Sequence, residues 1–165
     1  MDPRSLPCTS AVASMLGTLL GKPVLAKPTK ATTLGPRDRT LVGLYVRDDD
    51  SVDAVIVCDL AAAAALGCAL ALIHPSNAAE CVKRGKLDEA LLENLREVLN
   101  VMAGLVNHAG VPRLRLQAVV STPPVPPSVV SYLTKRVQRL DVTLTVEGYA
   151  SGTLSILVSK ESDQL

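Results

Sequence analysis

Along residues 87–109, LDEALLENLREVLNVMAGLVNHA, apolar side chains recur at helical spacing. At roughly 100° per residue, Leu91, Leu95, Val98, Met102, Leu105, Val106 and Ala109 fall on one side of a helix. Glu93, Glu97, Asn100 and Gly104 lie opposite them, within a band of about 60°. One face is made for a core. The other carries a carboxylate, an amide and a gap where a partner can come close.

The same patterning places the other elements around this helix. Residues 9–21 predict a first helix, with Thr9 or Ser10 as N-cap, Gly21 as the stop, and Val12, Met15, Leu16 and Leu19 as its apolar stripe. Residues 22–30 contain two prolines, Pro23 and Pro28, and suit an edge strand or an extended connection. Residues 40–47 and 52–60 read as an antiparallel hairpin across Asp48, Asp49, Asp50 and Ser51. Those aspartates fit a solvated turn, because no further oxygen ligands follow at calcium-loop spacing. Residues 61–73 predict a helix with almost no polar face, hence a buried one. His74 reads as a helix-terminus residue, and Ser76 is the expected N-cap of a short helix over 77–84. Gly85 separates that helix from the central one, which Gly110 and Pro112 close. A strand over 113–121 and a rigid proline-rich loop over 123–127 follow, whereas 128–136 carries no decisive pattern. Residues 137–150 and 152–160 predict two closing strands turning at Ser151-Gly152. This order predicts an α+β fold, a mainly antiparallel sheet packed against helices on one face. One domain is expected over residues 1–165, with 1–8 and 161–165 as frayed tails.

Composition narrows the function classes. A chain of 165 residues can bury a good core without disulfides or metal. It has no Phe or Trp and only three Tyr, so Leu, Val, Ala and Ile must build that core. Scarce aromatics argue against a base-stacking surface. The net charge of +1, without a basic block, gives no footprint for nucleic acid or an anionic membrane. Cys8, Cys58, Cys68 and Cys81 are scattered, and only His74 and His108 could join them, so no metal site is expected. Free thiols in a reducing compartment are the simpler reading. Residues 54–73 hold one charge in twenty positions, long enough on paper to span a bilayer. However, β-branched residues before Asp59 give way to an alanine run after it, as in a strand passing into a buried helix. The N-terminus lacks a convincing signal-peptide pattern, and a soluble cytoplasmic protein is expected.

Chemistry concentrates on the polar face of the central helix. Glu97 and Asn100 are three apart and so are surface neighbours. A carboxylate can hold a partner's lysine, and an amide, which both accepts and donates, can orient a water. The pair suits hydrolysis by positioning, with water aligned on a phosphoryl group. Gly104 costs about 1 kcal/mol relative to Ala within a helix, so its presence on this face points to close approach. On spacing alone, an ordinary solvated face with Glu93 and Arg96 as surface charges explains the same residues.

Residues 93–104, ENLREVLNVMAG, resemble the active-site helix of the CheC/CheX/FliY chemotaxis phosphatases. That family's pattern is Asp or Ser, three residues, Glu, two residues, Asn, then about twenty-two residues and Pro. Glu97, Asn100 and Pro123 match it, and the likeness runs over residues 40–160 with a helix before. Glu93 stands in place of the Asp or Ser, and Arg96 where the family often has Gly, which suggests a partner with a different surface. The resemblance implies a phosphatase acting on the phosphoaspartate of a CheY-like response regulator. In it, Glu97 would dock the regulator's lysine and Asn100 would orient the attacking water. Glu93, Arg96, Gly104 and Pro123 would contact the partner. The chain would need no cofactor of its own, with magnesium carried by the regulator. The first helix holds no second Glu and Asn, which favours the single-site, CheX-like branch, whose members are homodimers. A non-catalytic adaptor, like the middle domain of the flagellar switch protein FliM, is the alternative.

Overall fold

The computed structural model describes residues 4–31, 38–133 and 137–159. Six strands form one sheet: β1 (Val24–Pro28), β2 (Thr40–Val46), β3 (Val52–Asp59), β4 (Arg115–Thr122), β5 (Val137–Val146) and β6 (Gly152–Ser159). Their order across the sheet is β1-β5-β6-β3-β2-β4, and every neighbouring pair is antiparallel. β1 lies at an edge, where the missing N–H of Pro28 breaks no inner ladder. The helices are α1 (Thr9–Leu20), α2 (Leu60–Leu70), α3 (Pro75–Arg84), α4 (Glu89–Met102) and α5 (Pro127–Leu133). The expected α+β class and antiparallel sheet are those observed.

Asp59 is the pivot between β3 and α2. It ends the strand, and its carboxylate accepts from the Ala62 N–H at 2.8 Å as the N-cap of the helix. This is the lone charge in the apolar stretch 54–73, and no helix among the described residues is long and apolar enough to cross a membrane. β3 reads as a continuous apolar run because both of its faces are covered. Ala54, Ile56 and Cys58 meet the helical layer, while Val55 and Val57 lie on the far side.

The main core joins the stripe Val12, Leu16 and Leu20 of α1, the alanine-rich α2, and Leu91, Leu95, Val98, Leu99 and Met102 of α4 to that sheet face. Small side chains let α2 and α4 approach closely. A Cβ at Gly67 would stand 2.9 Å from the Leu91 carbonyl oxygen, and Asn94 donates to the Gly67 carbonyl at 3.1 Å. The far face, expected to be bare of helices, is partly covered by α5. Val129 and Tyr132, three residues apart, pack there against Val42, Leu44 and Leu157. Burying the Tyr132 ring is acceptable because its hydroxyl reaches the Asp53 and Leu157 carbonyls at 3.0 and 3.2 Å.

Two further expectations change. Ser76 is not the cap of α3. His74 takes that place, its Nδ1 accepting from the Ser76 N–H at 3.1 Å, because Pro75 occupies the first helical position and needs no partner there. Residues 4–8 are not a loose tail, since Arg4 is only 4% exposed and is bonded to three different segments. The tail expected over 161–165 lies outside the described residues. The aspartates at 48–50 do form a turn, in which Asp49 accepts from the Ser51 N–H at 3.0 Å and Asp50 pairs with Arg115.

All four cysteines are free: Cys58, Cys68 and Cys81 are buried and Cys8 is exposed. Burial pushes the Cys58 thiol up to about 12 and the Cys68 thiol up to about 11. The Ser10 hydroxyl, 3.1 Å from the Cys8 sulfur, lowers that thiol instead. The thiolate is the reactive species. A thiol-exchange chromophore at pH 8 is therefore expected to titrate one cysteine rapidly in the native protein and the other three only on unfolding. Cys8→Ser should abolish the rapid phase. Two or more rapid thiols would contradict this packing.

Candidate functional site

α4 is held along its length before it presents anything to solvent. Asp88 caps it, accepting from the Leu91 N–H at 2.9 Å. Leu99 sits over the bare backbone of Gly43 in β2, where a Cβ would come within 3.3 Å of its side chain. The buried Tyr45 hydroxyl donates to the Leu99 carbonyl. Beyond Met102 the helix tightens into a 3₁₀ turn, Ala103–Leu105, with the Ala103 N–H bonding back to Asn100. Residues anchored this way form a rigid platform.

Glu93, Arg96, Glu97, Asn100 and Gly104 are all exposed on the outer surface of this platform. Among the described residues, neither the Glu97 carboxylate nor the Asn100 amide takes part in a hydrogen bond or ion pair, so both are available. Val101, 43% exposed, puts an apolar patch beside Asn100. Gly104 does permit close approach, but from within the chain: a Cβ there would stand 3.1 Å from the Met15 side chain of α1. Pro123 is not brought to the pair. It follows the end of β4, whereas Asn100 shares a cleft with Arg115 at the start of that strand. Seven steps of about 3.3 Å along the strand separate the two ends.

The loop after α4 completes the surroundings of Asn100. Asn107 closes it like a strand partner, donating to the Leu114 carbonyl and accepting from the Leu114 N–H, both at 2.8 Å. Arg4 reaches in from the N-terminal segment, with Nε 3.3 Å from Asp53 and its two terminal nitrogens on the Val106 and Pro112 carbonyls. Neither role was legible in the sequence, where Arg4 stands among residues of an expected tail. No group of acids, histidines and cysteines among the described residues could hold a metal ion.

Known structures share this architecture. Thermotoga maritima FliY superposes with a TM-score of 0.60 at 15% identity, over 93% of this chain and 84% of that one. FliM in the FliM–SpeE complex from H. pylori gives 0.64 at 11% identity, over 92% and 81%. The FliM middle domain from H. pylori gives 0.59 at 10% identity, over 92% and 84%. No family model matches the chain, and no curated protein matches it in sequence. At these identities the likeness establishes the fold: this chain has the fold of FliY and of the FliM middle domain.

Proposed function

We propose that the chain is a phosphatase for the phosphoaspartate of a CheY-like response regulator, working through Glu97 and Asn100. The observation that carries this reading is a carboxylate and an amide one helical turn apart, both exposed and unengaged among the described residues, on a rigid helix. Glu97 docks the regulator's lysine. Asn100 holds a water in line with the phosphorus, its amide oxygen accepting a hydrogen bond from one water O–H so that the water's lone pair aims at the phosphoryl group. Such catalysis is by position, so neither side chain needs an altered protonation state. The regulator brings its own magnesium ion. The free thiols agree with the cytoplasmic setting that this partner requires. A homodimer is part of the same reading, to be checked by sedimentation.

A second reading is an adaptor that binds a signalling partner without chemistry. FliM, which shares the fold, has been solved with SpeE and with FliG. Glu93 and Arg96 beside the pair, and Pro123 beyond the far end of β4, favour it. The two readings separate in one experiment, loss of phosphate from a phosphorylated CheY-like regulator with and without this protein. Acceleration by the native chain, with at least a tenfold loss in Asn100→Ala, is the expected result, since losing the alignment of an attacking group can cost on the order of a hundredfold. Glu97→Ala should raise KM more than it lowers kcat, since its role is docking. Binding without acceleration would leave the adaptor. Absence of binding to any such regulator would remove the phosphatase reading and leave an adaptor only for a different kind of partner.

A further inference from the structure

The loop that returns from α4 to β4 leaves a cleft of about 580 Å³ beside Asn100, lined among others by Gly104, Asn107, His108, Arg113 and Arg115. Its polar lining sorts into groups already committed and groups left over. The Asn107 amide is spent on Leu114. His108 is held to the N-terminal segment, with Nε2 3.3 Å from the Ser5 N–H, and its Nδ1 faces the Ala109 carbonyl at 3.2 Å. Arg115 gives one nitrogen to Asp50, which leaves its other N–H groups. The exposed Arg113 makes no hydrogen bond or ion pair among the described residues, and the Asn100 amide is likewise unengaged. What remains for a ligand is thus two guanidiniums and an amide. Among the described residues no carboxylate lines the cleft. Asp50 is occupied by Arg115, and Glu97 lies a turn back along α4, on the other side of Asn100.

We propose that this cleft binds an oxyanion, and specifically a phosphate group, through Arg113 with help from Arg115 and Asn100. A guanidinium offers paired N–H donors in a planar fork that matches two oxygens of such a group, and charge-assisted bonds of this kind are the strong ones. The donor-rich lining, two guanidiniums beside an amide, stands on the cleft itself; the choice of phosphate over another oxyanion rests on the phosphatase reading. The group can be the phosphoryl of a docked regulator or inorganic phosphate in solution. Arg113 then acts as a binding residue next to the water-orienting amide.

Titration of the protein with inorganic phosphate at constant ionic strength, followed by NMR, tests the site. Saturable shifts confined to the Asn100, Asn107 and Arg113 region are expected. Arg113→Ala, a change at an exposed position, should weaken binding about tenfold, and Lys86→Ala, at an exposed position outside the cleft lining, should leave it unchanged. Shifts that do not saturate, or that persist undiminished in Arg113→Ala, would overturn the proposal. Regulator turnover separates the two sources. A fall in kcat/KM in Arg113→Ala assigns the site to the bound phosphoryl group; unchanged turnover with loss of inhibition by phosphate assigns it to the free ion. A chain that binds phosphate through Arg113 but leaves every phosphorylated regulator untouched keeps the site and rejects the phosphatase reading. A phosphatase whose cleft ignores phosphate does the reverse.

Discussion

Arg4→Met is expected to destabilise the fold by about 3 kcal/mol, the lower end of what removing one partner of a buried pair costs. The Arg4 side chain is 3% exposed and the Asp53 side chain 10%. Its Nε serves Asp53, while the terminal nitrogens serve the Val106 and Pro112 carbonyls at the two ends of the loop after α4. Gln138 in turn donates to the Arg4 carbonyl at 3.3 Å. One residue thus ties the N-terminal segment to β3, β5 and the loop that walls the cleft. Methionine fills much of the same volume but leaves two carbonyls unpartnered and Asp53 with Arg47 alone, 3.0 Å away. That remaining pair is why the cost falls at the lower end. Arg4→Lys should be intermediate, since a single ammonium cannot reach three acceptors spread around a planar fork. Arg47→Ala, whose side chain is one-third exposed, should cost less than about 1 kcal/mol. Urea denaturation measures all three. An Arg4→Met midpoint equal to that of the parent would show that the clip bears no weight.

The effect should be local before it is global. Hydrogen exchange is expected to rise first at the Leu114 amide, which closes the loop on the Asn107 side chain, and to change little in α4, whose buried stripe and Asp88 cap are independent of Arg4. Phosphate binding at the cleft should weaken in the same variant, because Arg113 and His108 sit on the loop that Arg4 fixes.

What the sequence made legible follows from how local each signal is. The buried stripe of α4 is written in apolar spacing, and Leu91, Leu95, Val98 and Met102 are all inside. The exposed set Glu93, Glu97, Asn100 and Gly104 follows from the same period. The change from β-branched residues to alanines at Asp59 located the strand-to-helix step, since both elements are adjacent in sequence and one side chain joins them. By contrast, α5 shows, among its described side chains, the buried i, i+3 pair Val129 and Tyr132, too short a signal to outvote the β-branched residues around it. Arg4 and Asp53 are forty-nine positions apart, and no periodicity carries information over that distance. The cleft is hidden for the same reason. Arg113 and His108 are ordinary loop residues until the Asn107–Leu114 closure brings them beside Asn100. Spacing also left the surroundings of Gly104 and Pro123 open. The gap at Gly104 accommodates Met15, and the downstream distance that matched Pro123 to a known pattern leads in three dimensions to the opposite end of β4.

Gly152→Ala is expected to be about as damaging as the loss of Arg4, about 3 kcal/mol, the upper end of ordinary overpacking. The backbone torsion there is one that any residue can adopt, so the cost is steric. An added Cβ would lie 2.3 Å from the Ala62 nitrogen, 2.5 Å from Asp59 Oδ1 and 2.8 Å from the Ala62 Cα. Two of these are backbone atoms of the first turn of α2, and the third belongs to its cap, so no flexible side-chain end can yield. The start of β6 is wedged against that cap, and Thr153 donates to the other Asp59 oxygen at 3.0 Å. Relief requires α2 to move outward, and α2 cannot move alone, because Gly67 seats it against the backbone of α4. A substitution far from Asn100 should therefore disturb the helix that presents it. Gly148, at φ 90° in the same hairpin, gives the contrast, since nothing lies within 4 Å of a Cβ there. Gly148→Ala should cost only the strain of a left-handed backbone, about 1 kcal/mol, and leave regulator binding intact. Gly152→Ala should lower both the denaturation midpoint and the affinity for a regulator. If instead Gly152→Ala proves the milder of the two, α2 is free to slide over the sheet, and the rigidity attributed to the α4 platform must come from β2 and Tyr45 alone.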